Sequence, residues 1–131
     1  MKNILIKGAI LGMLAVLGGA FGAHALKEVL TPEHLVSYQT GIRYQLIHAV
    51  VLLFLFLLTL KFTNKQFKIA ANLIFWGVIL FSGSIYILTL RNIIGLEVLK
   101  FAGPITPIGG LLIISGWVML IIGGMKLKES A

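Results

Sequence analysis

Histidine can pass a proton near neutral pH or ligate a metal, and this chain places two of its three where little else is polar. His24 closes the first apolar run, and His48 stands at the head of another, Val50 to Leu60. Before His48 comes Tyr38-Gln39-Thr40-Gly41-Ile42-Arg43-Tyr44-Gln45-Leu46-Ile47. Tyr38, Gly41, Gln45 and His48 are spaced three, four and three apart, so a helix stacks them on one face, continued by Leu52 and Leu55 as an apolar stripe. A polar stripe entering hydrocarbon demands partners, because an unsatisfied polar group there costs several kcal/mol. His24, Tyr86 and Thr106 fall at the right ends of their apolar runs to supply them. The candidate site is therefore His24, Tyr38, Gln45, His48, Tyr86 and Thr106. It reads as a small pocket for a quinone, a lipid headgroup or another small polar molecule, or as an interhelical hydrogen-bond cluster. The plainer role for His48 is a neutral imidazole bonded between helices. His24 and His48 should lie at similar depth, where they can meet. As a haem or metal pair they have no third ligand and no haem-binding pattern, so no metal or cofactor is expected.

The elements that position these groups follow from composition. The hydrophobic fraction is 59% and the charged fraction 11%, against about 25% charged in soluble domains, and mean hydropathy is +1.05. That defines an integral membrane protein. The net charge of +7 comes from basic residues flanking apolar runs, so its counter-charge is phospholipid headgroups rather than nucleic acid. With no cysteine, disulfides and thiolate metal sites are excluded. The 131 residues make a single domain. Its expected fold is all-α, a compact bundle of four transmembrane helices at about 4–26, 41–60, 69–90 and 105–124.

The first run competes with a secretory signal peptide, since Lys2 and Lys7 precede an apolar core and Ala23-His24-Ala25 resembles a cleavage site. Its internal pattern favours a transmembrane helix. Gly8, Gly12, Ala15, Gly19 and Gly22 recur at spacings four, three, four and three, a small-residue seam on which another helix can pack closely. Thr31-Pro32-Glu33 is a helix start, with threonine as N-cap and proline first in the helix. A helix from Pro32 to Leu60 is about 43 Å long and exceeds the hydrocarbon core of roughly 30 Å. Residues 32–41 should therefore form an amphipathic outer extension, with a bend available at Gly41. Arg43 then anchors to lipid phosphate at headgroup level. Thr106-Pro107 repeats the threonine-proline start, leaving Phe101 to Ile105 as irregular chain. Gly109, Gly116 and Gly123, seven apart, make a second small-residue face.

With four spans, one side carries Lys2, Lys7, Lys61, Lys65, Lys68, Lys126 and Lys128, and the other Lys27, Arg43, Arg91 and Lys100. The positive-inside rule puts both termini in the cytoplasm. Glu28, Glu33 and Glu97 all fall in connectors, which argues against a carboxylate-driven pump, and there is no nucleophile elbow, phosphate loop or zinc signature. Gly18-Gly19-Ala20 through Lys27 can be laid on Ser82-Gly83-Ser84 through Arg91, a faint parallel repeat.

Four motifs occur together in order: Gly19-Ala20-Phe21-Gly22-Ala23-His24-Ala25-Leu26, then Tyr38 through Gln45 with His48-Ala49, then Phe81-Ser82-Gly83-Ser84-Ile85-Tyr86, and Gly103-Pro104-Ile105-Thr106-Pro107-Ile108-Gly109-Gly110 with Gly116-Trp117. In this arrangement the chain resembles the small bacterial membrane proteins of domain-of-unknown-function family 423, relatives of human transmembrane protein 256. The resemblance implies a four-helix, multi-pass protein of the bacterial inner membrane and brings no catalytic residue or cofactor with it. The expectation is a non-enzymatic structural, accessory or lipid-associated role. The alternatives are an oligomeric transporter or channel-like unit for a small solute, and a quinone-, haem- or metal-binding redox subunit using His24 and His48. Partners are the lipid bilayer and, beyond it, a second copy of the chain or another membrane protein.

Overall fold

The computed structural model describes residues 2–95 and 97–128, with the side chains of 92 and 97–99 outside the description. Among the described residues, four helices are long and apolar enough to cross a membrane: α1 (Lys2–Val29), α2 (Pro32–Lys61), α3 (Lys65–Ile94) and α4 (Ile105–Met125). Within α1 the turn Gly22–Leu26 is π-helical. That wider turn holds Gly22 and Leu26 on the buried side and carries His24 at the surface.

Local chemistry sets each boundary. Thr31 caps α2, its hydroxyl accepting the His34 N–H at 3.2 Å, with Pro32 first in the helix. α2 is one helix from Pro32 to Lys61, running through Gly41. Asn64 caps α3 by accepting the Gln66 N–H at 3.0 Å, and its amide donates to the Gly123 carbonyl at 3.0 Å. One side chain thus starts α3 and ties down the end of α4. α3 stops at Gly95, whose φ of 79° is the left-handed conformation that glycine adopts without strain, and its N–H returns to the Arg91 carbonyl.

Two expectations for the last connection need correction. Phe101 to Ile105 is not irregular throughout: a 3₁₀ helix runs Glu97–Ala102. Thr106 is not the N-cap of α4. Pro104 occupies that position, and Thr106 lies inside the first turn with its hydroxyl on the Ser84 hydroxyl. The side-chain partner on α3 has taken the group that would have capped.

The three connections reverse the chain, so α1 and α3 run one way and α2 and α4 the other. α1 packs on α2, α2 on α3, and α3 most intimately on α4, whereas α1 only touches α3. One such touch places the Lys7 ammonium over the Phe75 ring, 4.8 Å from its centroid. A main core of Leu11, Leu52, Leu55, Phe67, Ile74 and Ile113 fills one part of the bundle, and Leu26, Leu30 and Tyr38 form a second cluster with Leu35 and Leu90 at the other end. Leu17, Phe54, Leu57, Trp76, Leu111 and Ile114 face outward, as expected of side chains solvated by lipid tails.

Glycine decides how closely the helices approach. A Cβ on Gly77 would stand 2.8 Å from the Ile113 backbone nitrogen, and one on Gly109 would stand 2.8 Å from the Gly77 carbonyl oxygen. Further along α4, Gly116 lies on Ile74 and Gly123 on Phe67, so the seven-residue repeat is the α3 contact face. The small-residue seam of α1 lies against α2, with its closest approaches unevenly spread along it. Gly8, Ala15 and Gly22 are buried, with Gly8 against Leu52 and Leu53 and Gly22 against Tyr38. Gly12 and Gly19 have room for a Cβ at ordinary contact distance, while Gly18, outside the seam, would place one 2.8 Å from Ile42.

Candidate functional site

The polar face of α2 is buried at Tyr38, Gly41, Gln45 and His48, as its spacing requires. Each buried polar side chain on it is bonded to a neighbouring helix. Gln45 donates through Nε2 to the Leu11 carbonyl of α1 at 2.8 Å and accepts at Oε1 from the Tyr86 hydroxyl of α3 at 2.6 Å. Tyr38 donates to the Gly18 carbonyl at 2.7 Å, and Ser82 donates to the Gly41 carbonyl at 2.7 Å. Carbonyls inside a helix can accept this second bond because each oxygen has two lone pairs. Gly41 is needed here: a Cβ there would lie 2.8 Å from Cε1 of Tyr86 and displace the ring that reaches Gln45. The Tyr38 and Tyr86 rings pack tilted, 5.4 Å between centroids.

His48 turns the other way. The Trp117 indole N–H of α4 donates to its Nε2 at 3.0 Å, and its Nδ1 lies 2.7 Å from the Tyr44 carbonyl. An indole can only donate, so Nε2 must be the bare nitrogen and Nδ1 must carry the proton. Both ring nitrogens are therefore engaged by a neutral imidazole. His24 does not meet His48: it is exposed on the π-helical turn of α1, whereas the partners of His48 are on α2 and α4. Thr106 is likewise apart, on Ser84. Among the described residues, no cluster of three or more metal-ligating side chains is present. Arg43 is exposed on α2.

Three of the six candidates, Tyr38, Gln45 and Tyr86, share a cleft of about 380 Å³. Its floor is α2, with Leu14 and Gly18 of α1 on one wall and Ser82 and Gly83 of α3 on the other. The two segments of the faint internal repeat thus face each other across α2. The cleft exists because α1 and α3 meet near Lys7 and Phe75 and part beyond them. The sequence does not mark Trp117 as the partner of His48, Ser82 as a donor, or Leu11 and Gly18 as acceptors. Trp117 carried a usable signal, since a half-buried indole N–H needs a partner. The carbonyl acceptors carried none, as every residue has one.

A family model described as a protein of unknown function, DUF423, matches residues 18–110. The UPF0382 membrane protein of Staphylococcus aureus (strain bovine RF122) is 43% identical over 126 residues, covering 96% of this chain and 98% of that protein. Its counterpart in Staphylococcus saprophyticus is 40% identical over 127 residues, covering 97% and 100%. The UPF0382 inner membrane protein YgdD of Escherichia coli K12 is 33% identical over 128 residues, covering 98% and 93%. No solved structure matches. With four apolar helices and relatives of this kind along nearly its whole length, the chain is a multi-pass protein of the bacterial cell membrane and belongs to the DUF423 family of unknown function.

Proposed function

We propose that this protein is a non-enzymatic, lipid-associated bundle whose cleft between α1 and α3 holds the tail of a membrane amphiphile. The observation that carries this reading is the cleft itself: a volume of about 380 Å³ between α1 and α3, with a mostly apolar lining and a few polar groups, Tyr38, Gln45, Ser82 and Tyr86. Both walls belong to membrane-crossing helices, so an amphiphile enters sideways from the bilayer. In the lining, Tyr38 of α2 and Tyr86 and Ser82 of α3 donate to protein acceptors and keep oxygen lone pairs. Gln45 keeps a second amide hydrogen. A hydroxyl or carbonyl near one end of the amphiphile can pair with these groups without breaking the interhelical bonds. Commitment of the buried polar side chains to neighbouring helices supports a structural role for most of the polar face and speaks against chemistry on a substrate.

Gly83 offers a clean test, because a Cβ there meets nothing within 4 Å while the residue lines the cleft. Gly83→Leu should fill the cleft and leave the bundle folded, with an unchanged or slightly raised melting temperature. Mass spectrometry of lipid extracted from the purified protein should show a co-purifying amphiphile that this variant lacks. An identical lipid profile in both proteins would sink the reading.

In the membrane, we place both termini in the cytoplasm, on the strength of Lys2, Lys7, Lys61, Lys65, Lys68, Lys126 and Lys128 at one end of the bundle. The absence of cysteine makes single-cysteine labelling unambiguous. Asn3→Cys and Thr63→Cys should resist a membrane-impermeant maleimide added to intact cells, while Glu28→Cys reacts. The opposite pattern overturns the orientation.

A further inference from the structure

A second recess, of about 420 Å³, lies at the end of the bundle where α1 and α3 finish. His34 and Ser37 of α2, Thr89 and Arg91 of α3, and Gly103 and Thr106 beside the start of α4 line it. Arginine is cationic at all accessible pH and histidine can become so. Among the described residues no carboxylate lines the recess. Glu33 is exposed and borders the neighbouring groove on the other side of His34. Among the described residues, the Nε of Arg91 is buried without a hydrogen-bond partner. A buried donor on a charged group that makes no bond loses hydration without compensation. Guanidinium presents its N–H groups in a fork that matches two oxygens of one oxyanion. None of the nearby hydroxyls bonds to the Arg91 Nε: Thr89 is held on the Ile85 carbonyl at 2.9 Å, and Thr106 is held on Ser84. The start of α4 borders the same recess at Gly103 and Thr106, and the helix dipole adds partial positive charge there.

Depth names the source of an oxyanion. α2 has 30 residues, about 45 Å of helix, against a hydrocarbon core of roughly 30 Å. Its first turns, which carry His34 and Ser37, therefore reach headgroup level. We infer that this recess binds a phosphate oxyanion, held by Arg91 and His34, and that the phosphate belongs to an anionic phospholipid of the adjacent leaflet. This site is separate from the amphiphile cleft, and shares only the membrane embedding with that reading.

The test is native mass spectrometry of the full chain in detergent, titrated in turn with short-chain phosphatidylglycerol, short-chain phosphatidylcholine and inorganic phosphate. The wild type should retain one phosphatidylglycerol in preference to phosphatidylcholine. Arg91→Gln should weaken that binding about tenfold, the loss of one charge-assisted contact. Ser37→Phe, built from an exposed position on the rim, should obstruct the recess and weaken binding as much with every charge kept. It decides the matter if Arg91→Gln fails to fold. Lys27→Gln, an equal charge change at the same end, should bind as the wild type does. Equal retention of phosphatidylcholine, or unchanged binding in Arg91→Gln and Ser37→Phe, overturns the site. Competition by inorganic phosphate at similar concentration overturns the lipid source and assigns the recess to a free anion. Gly83→Leu should leave this binding untouched, so failure of the cleft and failure of the recess are read separately.

Discussion

Gly109→Leu is expected to abolish the folded bundle. Its Cβ would be driven into the backbone of Phe81 and to 2.8 Å from the Gly77 carbonyl oxygen, and neither neighbour is a side chain that can swing away. Overpacking against movable side chains costs about 1–3 kcal/mol, and a clash with two backbones exceeds that. The loss falls on the most extensively packed helix pair, α3 with α4. Size-exclusion chromatography of a fluorescent fusion should show aggregate where the wild type gives a single symmetric peak. Gly124→Leu, at the other end of the same helix with open space around its Cβ, is the matched control and should run as the wild type does. A monodisperse Gly109→Leu protein with an unchanged melting temperature would refute the close crossing. The same logic separates neighbours on α1: Gly22→Leu should be far worse than Gly19→Leu, since only the former drives its Cβ into the Tyr38 ring.

Gln45→Leu should destabilise the bundle by about 2 kcal/mol. Interhelical hydrogen bonds in membrane proteins average about 0.6 kcal/mol and reach about 1.7 kcal/mol. Gln45 makes two, to the Leu11 carbonyl and from the Tyr86 hydroxyl, so both are lost together. The Leu11 carbonyl is inside a helix and keeps its intrahelical bond, whereas the Tyr86 hydroxyl is left facing leucine. The added penalty is that stranded hydroxyl. Tyr86→Phe on top of Gln45→Leu should therefore recover part of the loss, because it removes the stranded group. Unfolding in mixed bicelles, analysed as a double-mutant cycle, measures the coupling directly. Strictly additive effects would mean that Gln45 and Tyr86 do not act as one link between α1, α2 and α3.

His48 illustrates how a suggestive residue becomes committed. Its place on the polar face of α2 was readable from spacing alone, and the structure buries it there. Its partner was not readable, because Trp117 lies on α4, 69 positions away, and reaches α2 only through the packing of α3 between them. Once the indole donates to Nε2, the imidazole has no free nitrogen for a metal or haem. His24 followed the opposite course. Similar depth made a pair with His48 reasonable, but depth says nothing about rotation, and the π-helical turn sets His24 on the exposed side. On α1 the small-residue seam faces α2, but spacing defines a face only to within a residue: the tightest approaches are at Gly8, at Gly22 and at Gly18 beside the seam, while Gly12 and Gly19 keep ordinary contact.

The amino-acid sequence by itself determined the number of membrane-crossing helices, the Thr31 cap of α2, the buried stripe from Tyr38 to Leu55 and the contact face of α4 at Gly109, Gly116 and Gly123. Each of these follows from a local rule: hydrocarbon demands long apolar helices, and 3.6 residues per turn converts spacing into a face. Only the tertiary structure decided which acceptor each polar group takes, which glycines of α1 make the closest approach, where a cleft opens between α1 and α3, and that His34, Arg91 and Thr106 line one recess. These depend on the register and rotation of neighbouring helices. Both are set by many contacts summed across each interface, and the carbonyls that receive Tyr38 and Gln45 are chemically alike at every position along α1.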